Sequence, residues 1–485
     1  MKAPCTTGLC RMRNLLTWTL LVGFLWMSNR QVMMAAELRA GAASVIITPP
    51  PGTPMAGYYH FRAAEGVHDD LHSKALVLEY GDTRAALVAL DLISTQRPFV
   101  EQARRLIETA TGIPGSNVMI SATHAHTGPV LSGGSTRSEA MEGDNDLAAE
   151  YLKSLPRLIA DSVAKANSAL TPVNVSAGIG NEPTLTFNRR FHMRDGSVGW
   201  NPGKLNPDIV KPAGPIDPEV PAAYFRTHRD QPVAAYVNYA LHLDTVGGLE
   251  ISADYPHTLS RLLADVKGSG LITLFTIGTA GDLNHINVQS ATRQKGHGEA
   301  ARIGTLLAAE VLQTLESARE LEGNALPIRV HSELVKLPLP SVDEDDVTKA
   351  RNAIVRRGGD QKPSFLESVN AFKVLDVYAR LGEPWEVEVQ VITLGREIAW
   401  VSLPGEIFVE LGLDIKRGSP FPVTVIAELA NGSIGYVPTR VAYSQGNYEV
   451  VSARCAEGSG ELLVDAAVRL LKELYRQKSA LNQND

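Results

Sequence analysis

The sequence predicts an α/β fold of layered sheets flanked by helices, and three observations carry that prediction. Short apolar runs recur along the chain, each closing in a polar, often Gly-containing turn. Helical patterns sit between several of these runs, as expected when helices cover sheets. Residues able to do chemistry gather just past the ends of the runs, where open α/β sheets place their sites.

The runs deliver their chemistry in order. Residues 85–90 end at Asp91, and residues 118–122 lead into Thr123-His124-Ala125-His126. Residues 233–240 precede His242 and Asp244. Residues 271–277 open onto Asp282, Asn284 and His285, and residues 398–403 onto Pro404-Gly405-Glu406. Their length and β-branched content favour buried strands over helices. Helices are expected over residues 100–110, 147–167, 255–266 and 300–315, and a packed C-terminal helix over 461–475.

Three stretches are less regular. Residues 132–146, rich in Gly, Ser and acids, read as a mobile loop beside the histidines. The Pro- and Gly-rich stretch 188–221 reads as a long surface excursion. Residues 341–381 read as a helical insertion of two helices. There the acidic run 343–346 lacks the spacing of a calcium loop, and Ser341 with Glu344 forms a capping box.

Length and charge bound the function classes. The chain has 485 residues, 44% hydrophobic and 20% charged, enough for one large domain or two to three smaller ones. A net charge of −7 gives no basic footprint for nucleic acid. Residues 1–36 carry Lys2, Arg11 and Arg13 ahead of an apolar run at 15–27 and the pair Ala35-Ala36, the pattern of a secretory signal. An uncleaved anchor is the other reading of that run, which is short for a membrane span. Cleavage near Ala36 would remove four basic residues, taking the charge from −7 to −11, and would leave Cys455 as the sole cysteine of residues 37–485. The expected product is an exported protein with no internal disulfide and a quiet structural thiol.

His124 and His126 form a His-x-His pair at a strand end, where alternate residues share a face. Alone the pair reads equally as a zinc arrangement or a hydrogen-bonded structural pair. His242 and Glu406, each in a turn after a strand, raise the donors toward the three or four that a catalytic zinc takes. The segment 435–452 adds Tyr436, Tyr443 and Tyr448, and spacing alone does not separate a ligand from a packed aromatic loop.

These motifs resemble the neutral, non-lysosomal ceramidase family. Thr123-His-Ala-His-Thr-Gly-Pro129 is similar to its Thr-His-Thr-His-Ser-Gly-Pro motif, and Leu403-Pro-Gly-Glu406 to its Val-Pro-Gly-Glu segment. Tyr436, Thr439, Tyr443, Tyr448, Glu449 and Ser452 resemble its Tyr-rich motif in type and spacing. The resemblance spans about residues 40–474 and implies that family's catalytic domain, with layered mixed β-sheets flanked by helices, over residues 37–485.

By residue, the resemblance implies one zinc held by His124, His242, Glu406 and Tyr436. His126 matches a proton-handling group beside the metal, and Arg189 and Tyr448 fall at substrate-binding positions. Asp282, Asn284 and His285 occupy the catalytic Gly-Asp-Val-Ser-Pro-Asn segment, with Asn284 in place of the family's serine. Serine-mediated covalent catalysis is therefore not expected, although the Asn284 amide can donate to an oxyanion. The family's added C-terminal β-sandwich has no room in this length. The implied activity is zinc-dependent hydrolysis of an amide in an N-acyl lipid of the ceramide type, with transient membrane-surface contact. A deacylase or esterase of another substrate, and a non-catalytic binding protein, are the alternatives.

Overall fold

Period-two burial explains why the apolar runs are continuous. In the strand Thr83–Leu90, Ala86, Val88 and Leu90 join one hydrophobic cluster while Ala85, Leu87 and Ala89 join another. A strand covered on both faces needs apolar residues at every position. Each fully buried Leu or Val side chain contributes about 1.5–3 kcal/mol relative to exposure.

The computed structural model describes residues 36–131, 145–322 and 326–477, together with residues 1, 2 and 4. The expected signal segment and the expected loop at 132–146 lie almost wholly outside the described residues. Residues 37–485 form one compact unit.

This unit is built on two mixed sheets. The first contains β1 (Leu38–Ile46), β2 (His72–Tyr80), β3 (Thr83–Leu90), β4 (Val118–Ala122), β5 (Thr171–Asn181), β6 (Glu219–Thr227), β7 (Pro232–Tyr239) and β8 (Ile272–Ile277). Their order is β8-β7-β6-β5-β1-β2-β3-β4, with Arg319–Glu320 added against β5. The β3–β4 and β7–β8 pairs are parallel and the other neighbours antiparallel. The second sheet runs β9 (Ile328–Leu337), β10 (Trp385–Leu394), β11 (Ile398–Ser402) and β12 (Val423–Ala427), with only β11–β12 parallel.

The two sheets pack face to face. Leu76, Leu87, Phe225 and Leu274 from the first meet Ile392, Trp400 and Val425 from the second. Helices Arg97–Thr111, Asp146–Ser168, Tyr255–Lys267 and His297–Ser317 cover the outer face of the first sheet. Val409–Gly418 and Ser459–Arg476 cover that of the second. The result is a helix–sheet–sheet–helix sandwich, the layered α/β class expected from the sequence. No helix among the described residues is long and apolar enough to cross a membrane.

Two local expectations are corrected in part. The insertion does form two helices, Glu344–Arg356 and Phe365–Tyr378, but the first is capped by Asp343 with Asp346 rather than by Ser341 with Glu344. Starting there places Glu344, Asp345 and Asp346 in the first turn, against the positive end of the helix dipole. The stretch 188–221 does run largely over the surface, but it carries strands of its own. Arg190–Met193, Val198–Trp200 and Ile209–Pro212 make a small antiparallel sheet, and Arg189 is buried.

Candidate metal centre

Three imidazoles converge at the ends of β4 and β7. His124 Nε2 lies 2.9 Å from His242 Nε2 and 3.2 Å from His126 Nε2, and all three rings are buried. The convergence does not come from strand pleating as the sequence suggested. Strand β4 stops at Ala122, and His124 adopts φ +78 in the loop beyond it. A non-glycine residue pays strain in that region, so the surrounding structure must impose it. It does so through Thr123 and His124 N–H groups donating to the carbonyls of Leu90 and Leu92.

Gly57 seals the loop from outside. A Cβ there would sit 2.7 Å from the His126 carbonyl oxygen, and its φ is +103, so only glycine fits.

Tautomers follow from what the other ring nitrogen meets. His124 Nδ1 lies 2.7 Å from the Ile93 carbonyl, and His242 Nδ1 is 3.4 Å from that of Ala280. Donation to those carbonyls leaves each Nε2 lone pair facing the cluster. Burial pushes His126 down to about 3, against the pull of Asp244, and burial with His124 holds His242 well below the usual imidazole range. Neutral imidazoles are the form that binds a metal.

Glu406 and Tyr436 reach the cluster together. Glu406–Ile407 pairs in parallel with Tyr436–Val437, and Glu406 is the direct partner of Tyr436. Glu406 Oε2 is 3.5 Å from His124 Nε2 and 3.9 Å from His242 Nε2. Although buried, this oxygen has no hydrogen-bond partner among the described residues. The Tyr436 hydroxyl interacts with Glu406 and accepts a 3.0 Å bond from Arg189. An orphaned carboxylate oxygen facing converging neutral imidazoles, with a phenol beside it, fits a borderline divalent cation such as zinc. Three imidazoles rather than two lie within reach, so His126 is positioned as a ligand as readily as a proton carrier.

Arg189 is held from behind. It donates to Glu449 Oε1 at 2.8 Å and to the Gly281 carbonyl at 2.7 Å, while Arg190 bonds Glu449 Oε2 at 2.9 Å. Despite burial, Tyr436 and Glu449 keep Arg189 a firm cation. Tyr448 packs on Trp200 with ring centroids 4.5 Å apart and planes tilted by 38°, and meets Tyr436 edge-on at 5.4 Å.

The other expected residues sit in the scaffold. Asp282 accepts from Val409 N–H and from Asn188 Nδ2, is buried, and is pushed up to about 6 by that burial. Its oxygens organise the segment under Glu406 rather than face the cavity. Asn284 donates to Asn201 Oδ1 at 2.9 Å and accepts from Ile286 N–H, which leaves one amide hydrogen uncommitted among the described residues. His285 Nε2 meets the Gln294 carbonyl at 2.8 Å, and burial lowers its pKa.

Sequence reasoning missed Tyr58 and the role of Asp244. The Tyr58 hydroxyl bonds Asp244 Oδ1, which lies 3.7 Å from His126 Nδ1, an atom with no hydrogen bond among the described residues. Asp244 stands two residues after His242, and that His-x-Asp spacing was the available signal; nothing marked Tyr58. A cavity of about 540 Å³ joins Tyr58, His124, His126, Glu406, Tyr436 and Tyr448 to Arg380 and Trp385 near the insertion. That volume suits a small organic ligand or the reactive part of a larger one.

No family model and no curated protein matches the chain. Solved structures do. Neutral ceramidase from Pseudomonas aeruginosa superposes with a TM-score of 0.70 at 21% identity, over 92% of this chain and 76% of that one. A ceramidase complexed with C2 gives 0.68 at 20% identity, over 92% and 77%. The chain therefore has the neutral ceramidase fold.

Proposed function

We propose that this protein is an exported zinc-dependent hydrolase that cleaves an amide bond in an N-acyl lipid of the ceramide type. The observation that carries the reading is the buried meeting of His124, His126 and His242 with the orphaned Glu406 oxygen, beside a cavity lined by His124, His126 and Glu406. His124, His242, Glu406 and Tyr436 hold the metal in this reading. Zinc bound there supplies Lewis acidity, polarising a carbonyl and making water a better nucleophile near neutral pH.

The chain's own residues do the rest. Arg189 steadies the Tyr436 hydroxyl and adds positive charge where an oxyanion develops. His126 is the group placed to move a proton, with Asp244 facing its Nδ1. Tyr448 and Trp200 offer an apolar wall to an acyl chain or lipid base. The leader at 1–36 accounts for export. Asn284, tied to Asn201 where the family carries serine, favours a second reading in which another amide or an ester is cleaved.

The test is hydrolysis of a fluorescent N-acyl sphingosine before and after chelation, run beside a panel of acetylated sugars and simple esters. Turnover of the sphingolipid with about one zinc at this centre supports the proposal. Zinc with turnover of the panel alone moves the substrate, and absence of zinc after reconstitution overturns the ligand set.

Asp244→Asn provides a separate check on the positioning of His126. Loss of the carboxylate should lower turnover about 10- to 100-fold, with zinc affinity measured by chelator competition and the melting temperature nearly unchanged. Unaltered turnover would mean that Asp244 does not orient His126.

A further inference from the structure

A second group of donors lies outside the cavity. His68, Glu250 and His297 each offer an atom within 4.8 Å of the others. They come from three separate segments whose backbones are tied together. Gly66–Val67 pairs in parallel with Glu250–Ile251, and the His68 N–H donates to the Ile251 carbonyl at 2.9 Å. His297 opens the helix His297–Ser317, and the Gly296 N–H just before it donates to the Thr245 carbonyl at 2.8 Å. All three donors are thus anchored around one loop, residues 245–251.

The side chains are close to coordinating distance, and none of the three has a competing side-chain hydrogen bond among the described residues. His297 Nε2 is 3.6 Å from Glu250 Oε2. Donors on a tetrahedral ion with bonds of about 2.0–2.2 Å stand about 3.3–3.6 Å apart. The His68 and His297 rings stack with centroids 3.7 Å apart and planes at 25°. Stacked rings send their lone pairs side by side, so capture of an ion requires one ring to turn about its Cβ–Cγ bond. His68 is exposed and has no side-chain hydrogen bond among the described residues, so that turn gives up only the stacking on His297.

We infer that His68, Glu250 and His297 form a second, surface metal site for a borderline divalent cation of the zinc or nickel type. Two imidazoles and one carboxylate select such ions over calcium or magnesium, which take oxygen donors. The fourth position is left to water. A bound ion would staple the strand end at His68 and the helix start at His297 to the loop that follows His242 and Asp244.

The inference does not depend on the catalytic proposal, and counting metals separates the two. Purified protein is loaded with zinc, freed of excess by dialysis, and analysed for bound metal by mass spectrometry. Wild type should hold two zinc ions per chain, His68→Ala/His297→Ala one, and His124→Asn one, with the surface variant keeping wild-type turnover. In the His124→Asn background nickel binding should follow the same surface pair, with at least a tenfold loss of affinity on adding His68→Ala or His297→Ala. Equal zinc content in wild type and His68→Ala/His297→Ala, with nickel affinity unchanged by that pair in the His124→Asn background, would overturn the inference. Loss of zinc from that variant, with none lost from His124→Asn, would sustain it and overturn the first centre.

Discussion

Replacing His124 by alanine should empty the metal centre and reduce hydrolysis by about a thousandfold or more. Lewis-acid activation is worth several kcal/mol, and each 1.36 kcal/mol is a factor of ten in rate. His124 is the hub of the cluster, with its Nε2 within 3.5 Å of His242, His126 and Glu406. Its backbone complicates the experiment, because alanine at φ +78 carries strain that asparagine tolerates better. His124→Asn is therefore the cleaner variant: it keeps the turn, removes the imidazole, and should melt within a few degrees of wild type. Elemental analysis and turnover, read together, decide the matter. Full activity in a metal-free His124→Asn or His124→Ala protein would sink the assignment.

The strands and covering helices were legible because burial on both faces writes itself as uninterrupted apolar runs. Residues 85–90, 118–122 and 398–403 correspond closely to Thr83–Leu90, Val118–Ala122 and Ile398–Ser402. The layering of one sheet upon another was less visible, since a run such as 85–90 looks the same whether its second face meets helices or another sheet. The site divided along similar lines. His124 and His126 announced themselves by spacing, yet the turn that joins their rings depends on bonds to Leu90 and Leu92, which no local pattern encodes. Glu406 and Tyr436 are brought together by a two-residue parallel bridge across thirty positions, and only resemblance connected them beforehand. Glu449 stood in the Tyr-rich motif without a role, because a buried ion pair with residues 189 and 190 has no signature in either segment alone.

That ion pair leads to the largest expected effect on stability. Glu449 is fully buried and bonds Arg189 with one oxygen and Arg190 with the other, at 2.8 and 2.9 Å. Two guanidinium groups thus share one carboxylate away from water. Among the described residues Glu449 is the only full negative charge bonded to either, so Glu449→Gln breaks one side of a buried pair at a cost of about 3–5 kcal/mol. Chemical denaturation should show a loss of that size. Arg190 also reaches Gln445 and the Gly446 carbonyl, so it keeps partial support, whereas Arg189 keeps Gly281 and the Tyr436 hydroxyl. Arg190→Met in the Glu449→Gln background should recover part of the loss, because one uncompensated charge then leaves the interior. A strictly additive double variant would show that the three groups do not act as a network. The same substitution should also lower turnover with zinc still bound, since Arg189 would be less firmly held against Tyr436. Stability and rate falling together while metal content stays constant would identify Glu449 as the residue that fixes the cationic side of the site.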